Sequence, residues 1–157
     1  MVSNGFHFTR RNLPHWHLSG SIYFVTIRVH RGKFSTDEQS IVSNSIKYFH
    51  SKRYWIWVSV VMQDHVHLLI RLYNDNDGKE ISLGDALKSI KGFSAREINK
   101  SRNTVGKFWQ DENFDRIVRN EEELMEKWNY IRNNPVKKNL SDIPENYAFL
   151  WEPGPPP

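Results

Sequence analysis

The 157-residue chain is predicted to be an α+β protein, a ferredoxin-like (RRM-like) split βαβ with a four-stranded antiparallel sheet and helices. Three observations lead there. Val58 to Leu72 holds two apolar runs divided by the polar pair Gln63 and Asp64, the pattern of a tight β-hairpin. Two amphipathic segments, each opened by a capping residue, flank that hairpin. Extended segments rich in β-branched and aromatic residues lie at either end, so the order is β-α-β-β-α-β and then a third helix.

The elements follow in order. Ser21 to Arg28, SIYFVTIR, reads as a central strand with Tyr23, Val25 and Ile27 on one face. Thr36 as N-cap, with Gln39 three residues on, opens a helix to about Ser51. Val42, Ile46 and Phe49 form its apolar stripe. Tyr54 to Met62 and His65 to Tyr73 are the hairpin strands, and Asn74 to Glu80 is a polar loop. Ser82 caps a second helix through about Lys100, with Leu83, Leu87 and Ile90 apolar. Phe108, Trp109 and the segment Phe114 to Val118 read as a short last strand. Asn120 caps a third helix with an acidic first turn and the stripe Leu124, Trp128, Ile131, and Pro135 is expected to stop it.

Three segments are expected: a basic, aromatic arm over residues 1–20, one domain over 21–150, and a Pro-rich tail over 151–157 that is extended or frayed. Composition, 38% hydrophobic and 13% aromatic, is that of a globular chain. The absence of cysteine excludes a disulfide framework, a thiolate metal site and a cysteine nucleophile. No apolar run approaches a membrane span or the core of a signal peptide, so a soluble, cytoplasmic protein with no membrane partner is expected. A net charge of +4 is compatible with a polyanionic partner.

Within the hairpin the side-chain period of two places Val66, Leu68, Ile70 and Leu72 on one face and His65, His67, Leu69 and Arg71 on the other. Imidazoles at i and i+2 start roughly 6.6 Å apart along a strand and can reach one metal ion. Such a pair is commonly no more than two surface histidines. On the third helix Tyr130 and Asn134 stand one turn apart on one face. Laid over the histidines, they would bring a phenol and an amide oxygen to the same ion; otherwise Tyr130 packs and Asn134 caps the helix before Pro135. The arm segment RRNLPHWH, with Arg10, Arg11, His15 and Trp16, combines phosphate-neutralising and stacking groups. Lys88, Lys91, Arg96 and Lys100 line the polar face of the second helix, as any solvated face would.

The strings RRNLPHW, YFVTIR, VMQDHVHLLI, GFSAREIN, FWQDENFDRIV and EEELMEKWNYIRNNPVKKNL fall in order over about residues 10 to 150. Together they resemble the REP-associated tyrosine transposases, single-tyrosine nucleases of the HUH type related to the transposases of the smallest insertion sequences. The resemblance implies that His65 and His67 hold a divalent metal, Mg²⁺ or Mn²⁺, with Asn134, or else Asn133 or a water, as the third ligand. It implies that Tyr130 is the nucleophile that attacks a single-stranded DNA phosphodiester, leaving a 5′-phosphotyrosine and a free 3′-hydroxyl. The substrates would be hairpins of repetitive extragenic palindromes, contacted by Arg10, Arg11, His15, Trp16, Lys88, Lys91, Arg96 and Arg116. A bacterial, nucleoid-associated protein acting as monomer or homodimer is the corresponding expectation. The alternative is a catalytically inactive module that binds nucleic-acid hairpins on the same sheet.

Overall fold

The computed structural model describes residues 21–157. The elements are β1 (Ile22–Arg28), α1 (Thr36–Tyr48), β2 (Tyr54–Val61), β3 (His65–Leu72), α2 (Leu83–Arg102), β4 (Phe114–Ile117), α3 (Glu121–Lys137) and β5 (Leu150–Trp151), with a 3-10 turn at Pro144–Asn146 before the last strand. The sheet is antiparallel, in the order β4-β1-β3-β2-β5. It therefore has five strands rather than the expected four. The fifth is a two-residue pairing of Trp151 with Ser59 and Leu150 with Val60, too short to show any periodicity in sequence.

That pairing carries on into the tail, which is extended, one of the two forms expected for it. Val61 N–H donates to the Phe149 carbonyl, Gly154 N–H donates to the Trp57 carbonyl, and the Trp55 indole donates to the Gly154 carbonyl at 2.7 Å. Residues 151 to 154 are thus tied to β2 and are not frayed. Gly154 sits at φ +83°, a conformation that costs a residue without Cβ little.

Each sheet face has its own core. Val25, Ile27, Ile56, Val66, Leu68 and Ile70 meet Val42 and Ile46 of α1 and Leu87 and Ile90 of α2. On the other face Ile22, Phe24, Trp57, Val58 and Leu69 meet Leu124, Trp128 and Ile131 of α3. The period-two reading of β3 holds, and of the two placements considered α3 takes the one over the histidine face. A bulge in β2 between Ile56 and Val58 puts Trp57 and Val58 together against α3, where Trp57 meets Trp128 edge to face at 6.2 Å.

The hairpin turn has no positive φ at Gln63 or Asp64, so it lacks the primed geometry that tight hairpins favour. Tertiary hydrogen bonds hold it instead. The Gln63 carbonyl accepts from Phe34 N–H, the Asp64 carbonyl accepts from Val29 N–H, and the Gln39 amide donates to the Val61 and Met62 carbonyls.

Helix ends differ from expectation in two places. Ser35, not Thr36, caps α1 in a reciprocal box with Glu38, which leaves Gln39 free to enter the core. Pro135 does not end α3, which continues to Lys137. Proline removes one donor and crowds the turn before it, but Pro135 is buried in line with Trp128 and Ile131, and packing on the sheet holds the last turn. Phe108 and Trp109 lie outside β4 in the core, where Trp109 donates to Ser94 Oγ at 3.0 Å. Among the described residues no helix is long and apolar enough to cross a membrane.

Candidate active site

The pairing of β1 with β3 sets the site. Thr26 lies opposite His67 and Arg28 opposite His65, and facing residues of an antiparallel pair share one face. Thr26 Oγ1 is 2.8 Å from His67 Nδ1, and Asp64 Oδ1 is 2.6 Å from His65 Nδ1. Both Nδ1 atoms are thus occupied and both Nε2 atoms remain for a ligand, the arrangement by which outer partners orient metal-binding histidines. The two imidazole centroids are 4.6 Å apart.

From above, α3 brings Tyr130 and Asn134. The Tyr130 ring stands 5.3 Å from that of His67 and 5.9 Å from that of Phe24, while nearly half of the residue stays exposed (46%). Asn134 is 4% exposed, and its Oδ1 has no hydrogen-bond partner among the described residues. A buried amide oxygen without a partner costs about 1–3 kcal/mol, a cost that a cation in the adjoining pocket would remove. The pocket, about 370 Å³, is lined by His65, His67, Tyr130 and Asn134, with Arg28, Lys33 and Lys138 at its rim. Asn133, the other amide considered from sequence, is exposed and does not line it.

Charge in the pocket suits an anion held beside a cation. Burial, then the neighbouring His65 and Arg28, push His67 down to about 3, so it stays a neutral ligand at physiological pH. Burial alone would raise the Asp64 carboxyl, but its hydrogen bond to His65 and the charges of His65, Arg28 and Lys33 hold it below the ordinary range. Among the described residues no three His, Cys, Asp or Glu side chains gather as a metal site. The donor set is two imidazoles and one amide, which leaves open positions for oxygen ligands and suits Mg²⁺ or Mn²⁺.

The expected DNA contacts separate. Arg10, Arg11, His15 and Trp16 lie outside the described residues. Lys88, Lys91 and Arg96 sit on α2, on the opposite side of the sheet from the histidines. Lys91 is also engaged, donating to the Gln110 carbonyl and Asn113 Oδ1. Arg116 faces the site side, opposite Phe24, but its guanidinium is paired with Glu123 at 2.5 Å. The pocket's own cations, Arg28, Lys33 and Lys138, are not legible in local pattern because strand register, the loop between β1 and α1, and helix placement bring them there. Thr26 escaped for the same reason, whereas Asp64 directly precedes His65 and makes a purely local contact.

The sequence model of the family described as "Transposase IS200 like" matches residues 19–134. Among solved structures, a REP-associated tyrosine transposase bound to a REP hairpin is similar at a TM-score of 0.68 and 19% identity, over 88% of this chain and 80% of that one. A crystal structure of a putative transposase from Deinococcus radiodurans is similar at a TM-score of 0.48 and 18% identity, over 77% of this chain and 95% of that one. No curated protein matches.

Proposed function

Because this chain belongs to the IS200-like transposase family, we propose that it cleaves and transfers single-stranded DNA through a covalent bond to Tyr130, acting on hairpin ends of the REP type. One observation carries this reading: His65, His67, Asn134 and Tyr130, drawn from a strand and from a helix above it, converge on one pocket rimmed by Arg28, Lys33 and Lys138. His65 Nε2, His67 Nε2 and Asn134 Oδ1 would hold a divalent cation, Mg²⁺ or Mn²⁺. When bound, that cation neutralises charge on a non-bridging phosphate oxygen.

The remaining steps belong to the chain's own residues. The rim cations draw a phosphodiester into the pocket and offset the negative charge that grows during attack. The Tyr130 oxygen forms a bond to phosphorus, the bond from phosphorus to the departing 3′ oxygen breaks, and the phenolic proton ends on that oxygen. The products are a 5′-phosphotyrosine and a free 3′-hydroxyl. Attack of a second 3′-hydroxyl on the phosphotyrosine reverses the chemistry and joins a new strand. Phe24, against both His67 and Tyr130, keeps the phenol over the histidines.

The test is cleavage of end-labelled hairpins with single-stranded flanks, with and without Mn²⁺. Cleavage confined to the single-stranded flank and dependent on the cation supports the reading. Tight hairpin binding with no cleavage under any cation would favour the inactive hairpin-binding module instead.

A further inference from the structure

The edge strand β4 carries an aromatic ring that the proposed reaction does not use. Phe114 is 60% exposed, in a strand whose four residues all face solvent. The register sets it opposite Thr26, whose hydroxyl holds His67, so Phe114 lies on the histidine face of the sheet. Among the described residues its ring is braced edge to face against Phe24 at 6.2 Å. Phe24 in turn touches Tyr130 at 5.9 Å, stacks on His67 at 5.6 Å and lies 4.9 Å from the Lys127 ammonium. The steps of 6.2 and 5.9 Å put the Phe114 ring no more than about 12 Å from that of Tyr130. At about 3.4 Å per nucleotide along a stacked strand, that is within about four nucleotides of the attacked phosphate. Arg28, exposed and two residues beyond Thr26 on β1, is the diagonal neighbour on the same face, where diagonal pairs remain within reach of long side chains.

We propose that Phe114 is a stacking platform for an unpaired base of the strand that Tyr130 attacks, with Phe24 as its buttress and Arg28 beside it for the phosphate. The proposal rests on the function above. A braced ring loses little freedom when a base settles on it, and stacking is indifferent to sequence because every base has a π-face. Bases inside a duplex are already stacked on each other. The platform therefore selects a single-stranded flank and fixes how far along it the phosphate reaches the pocket.

The experiment uses full-length protein carrying Tyr130→Phe, so that no cleavage intervenes, and single-stranded oligonucleotides with 2-aminopurine moved along the flank. Phe114→Leu keeps apolar bulk but removes the ring, and Phe114→Trp enlarges it. Phe114→Leu should bind roughly tenfold more weakly and lose the fluorescence quenching at one flank position, while Phe114→Trp restores both. Unchanged affinity and quenching in Phe114→Leu, with Phe114 intact protein binding DNA normally, would overturn the platform alone. A fall in oligomeric mass in Phe114→Leu, with DNA affinity unchanged, would assign the ring to self-association and also overturn it. If protein with Phe114 intact binds no single-stranded DNA, the functional reading fails and the platform with it.

Discussion

Thr26 Oγ1 lies 2.8 Å from His67 Nδ1 across the β1–β3 pairing, so a hydroxyl on one strand fixes which imidazole nitrogen on the next is left to bind a ligand. Outer partners of this kind are worth about 10- to 100-fold in metal affinity. Thr26→Val keeps the shape and removes the oxygen. It should weaken Mn²⁺ binding by about that factor in a calorimetric titration, and it should cost the metal-free protein about 1–3 kcal/mol because the buried His67 Nδ1 loses its partner. Unchanged Mn²⁺ affinity would deny Thr26 the role.

Asn134 should separate stability from binding. Its buried Oδ1 is without a partner among the described residues, so Asn134→Leu should leave the metal-free protein as stable or about 1 kcal/mol more stable. The same substitution should weaken Mn²⁺ binding. A less stable variant with full Mn²⁺ affinity would show that the amide serves the fold and not the ion.

Much of this arrangement was legible in the sequence. Period two in β3 separated Val66 and Leu68 from His65 and His67, and helical spacing paired Tyr130 with Asn134. Both are local patterns. What escaped was set by contacts between distant segments: the β1–β3 register that brings Thr26 and Arg28 to the histidines, and the loop geometry that brings Lys33. The end of α3 was misjudged because a local rule about Pro135 yielded to burial against the sheet. The fifth strand was missed because two residues, Leu150 and Trp151, carry no period.

Acid should weaken the metal-free fold through His67. An unfolded histidine takes up its proton near 6.5, whereas burial holds folded His67 at about 3. Between those values the unfolded chain binds more protons, so stability falls as pH falls, by at most about 1.4 kcal/mol per pH unit for one such group. Burial shifts His50 in the same direction. Urea denaturation from pH 7 to pH 4 should show this decline, and His67→Asn should flatten it. An equal slope in wild type and His67→Asn would contradict the assignment.

Salt dependence should identify the phosphate contacts. Each neutralised phosphate on a single strand contributes roughly −0.7 to the slope of log K against log salt. Arg28→Ala, Lys33→Ala and Lys138→Ala should each make the slope shallower by about that amount. Lys88→Ala and Arg96→Ala, on the far side of the sheet, should leave it unchanged. The reverse pattern would move the DNA to the α2 face.

The central claim is that the Tyr130 oxygen becomes bonded to DNA, and the direct measurement is the covalent adduct itself. Wild-type protein incubated with a labelled single-stranded-flank hairpin and Mn²⁺, then denatured, should run as a protein-DNA species whose modified peptide contains Tyr130. Tyr130→Phe should bind the hairpin and form no adduct. Cleavage at the wild-type rate by Tyr130→Phe would contradict the account and make water the nucleophile.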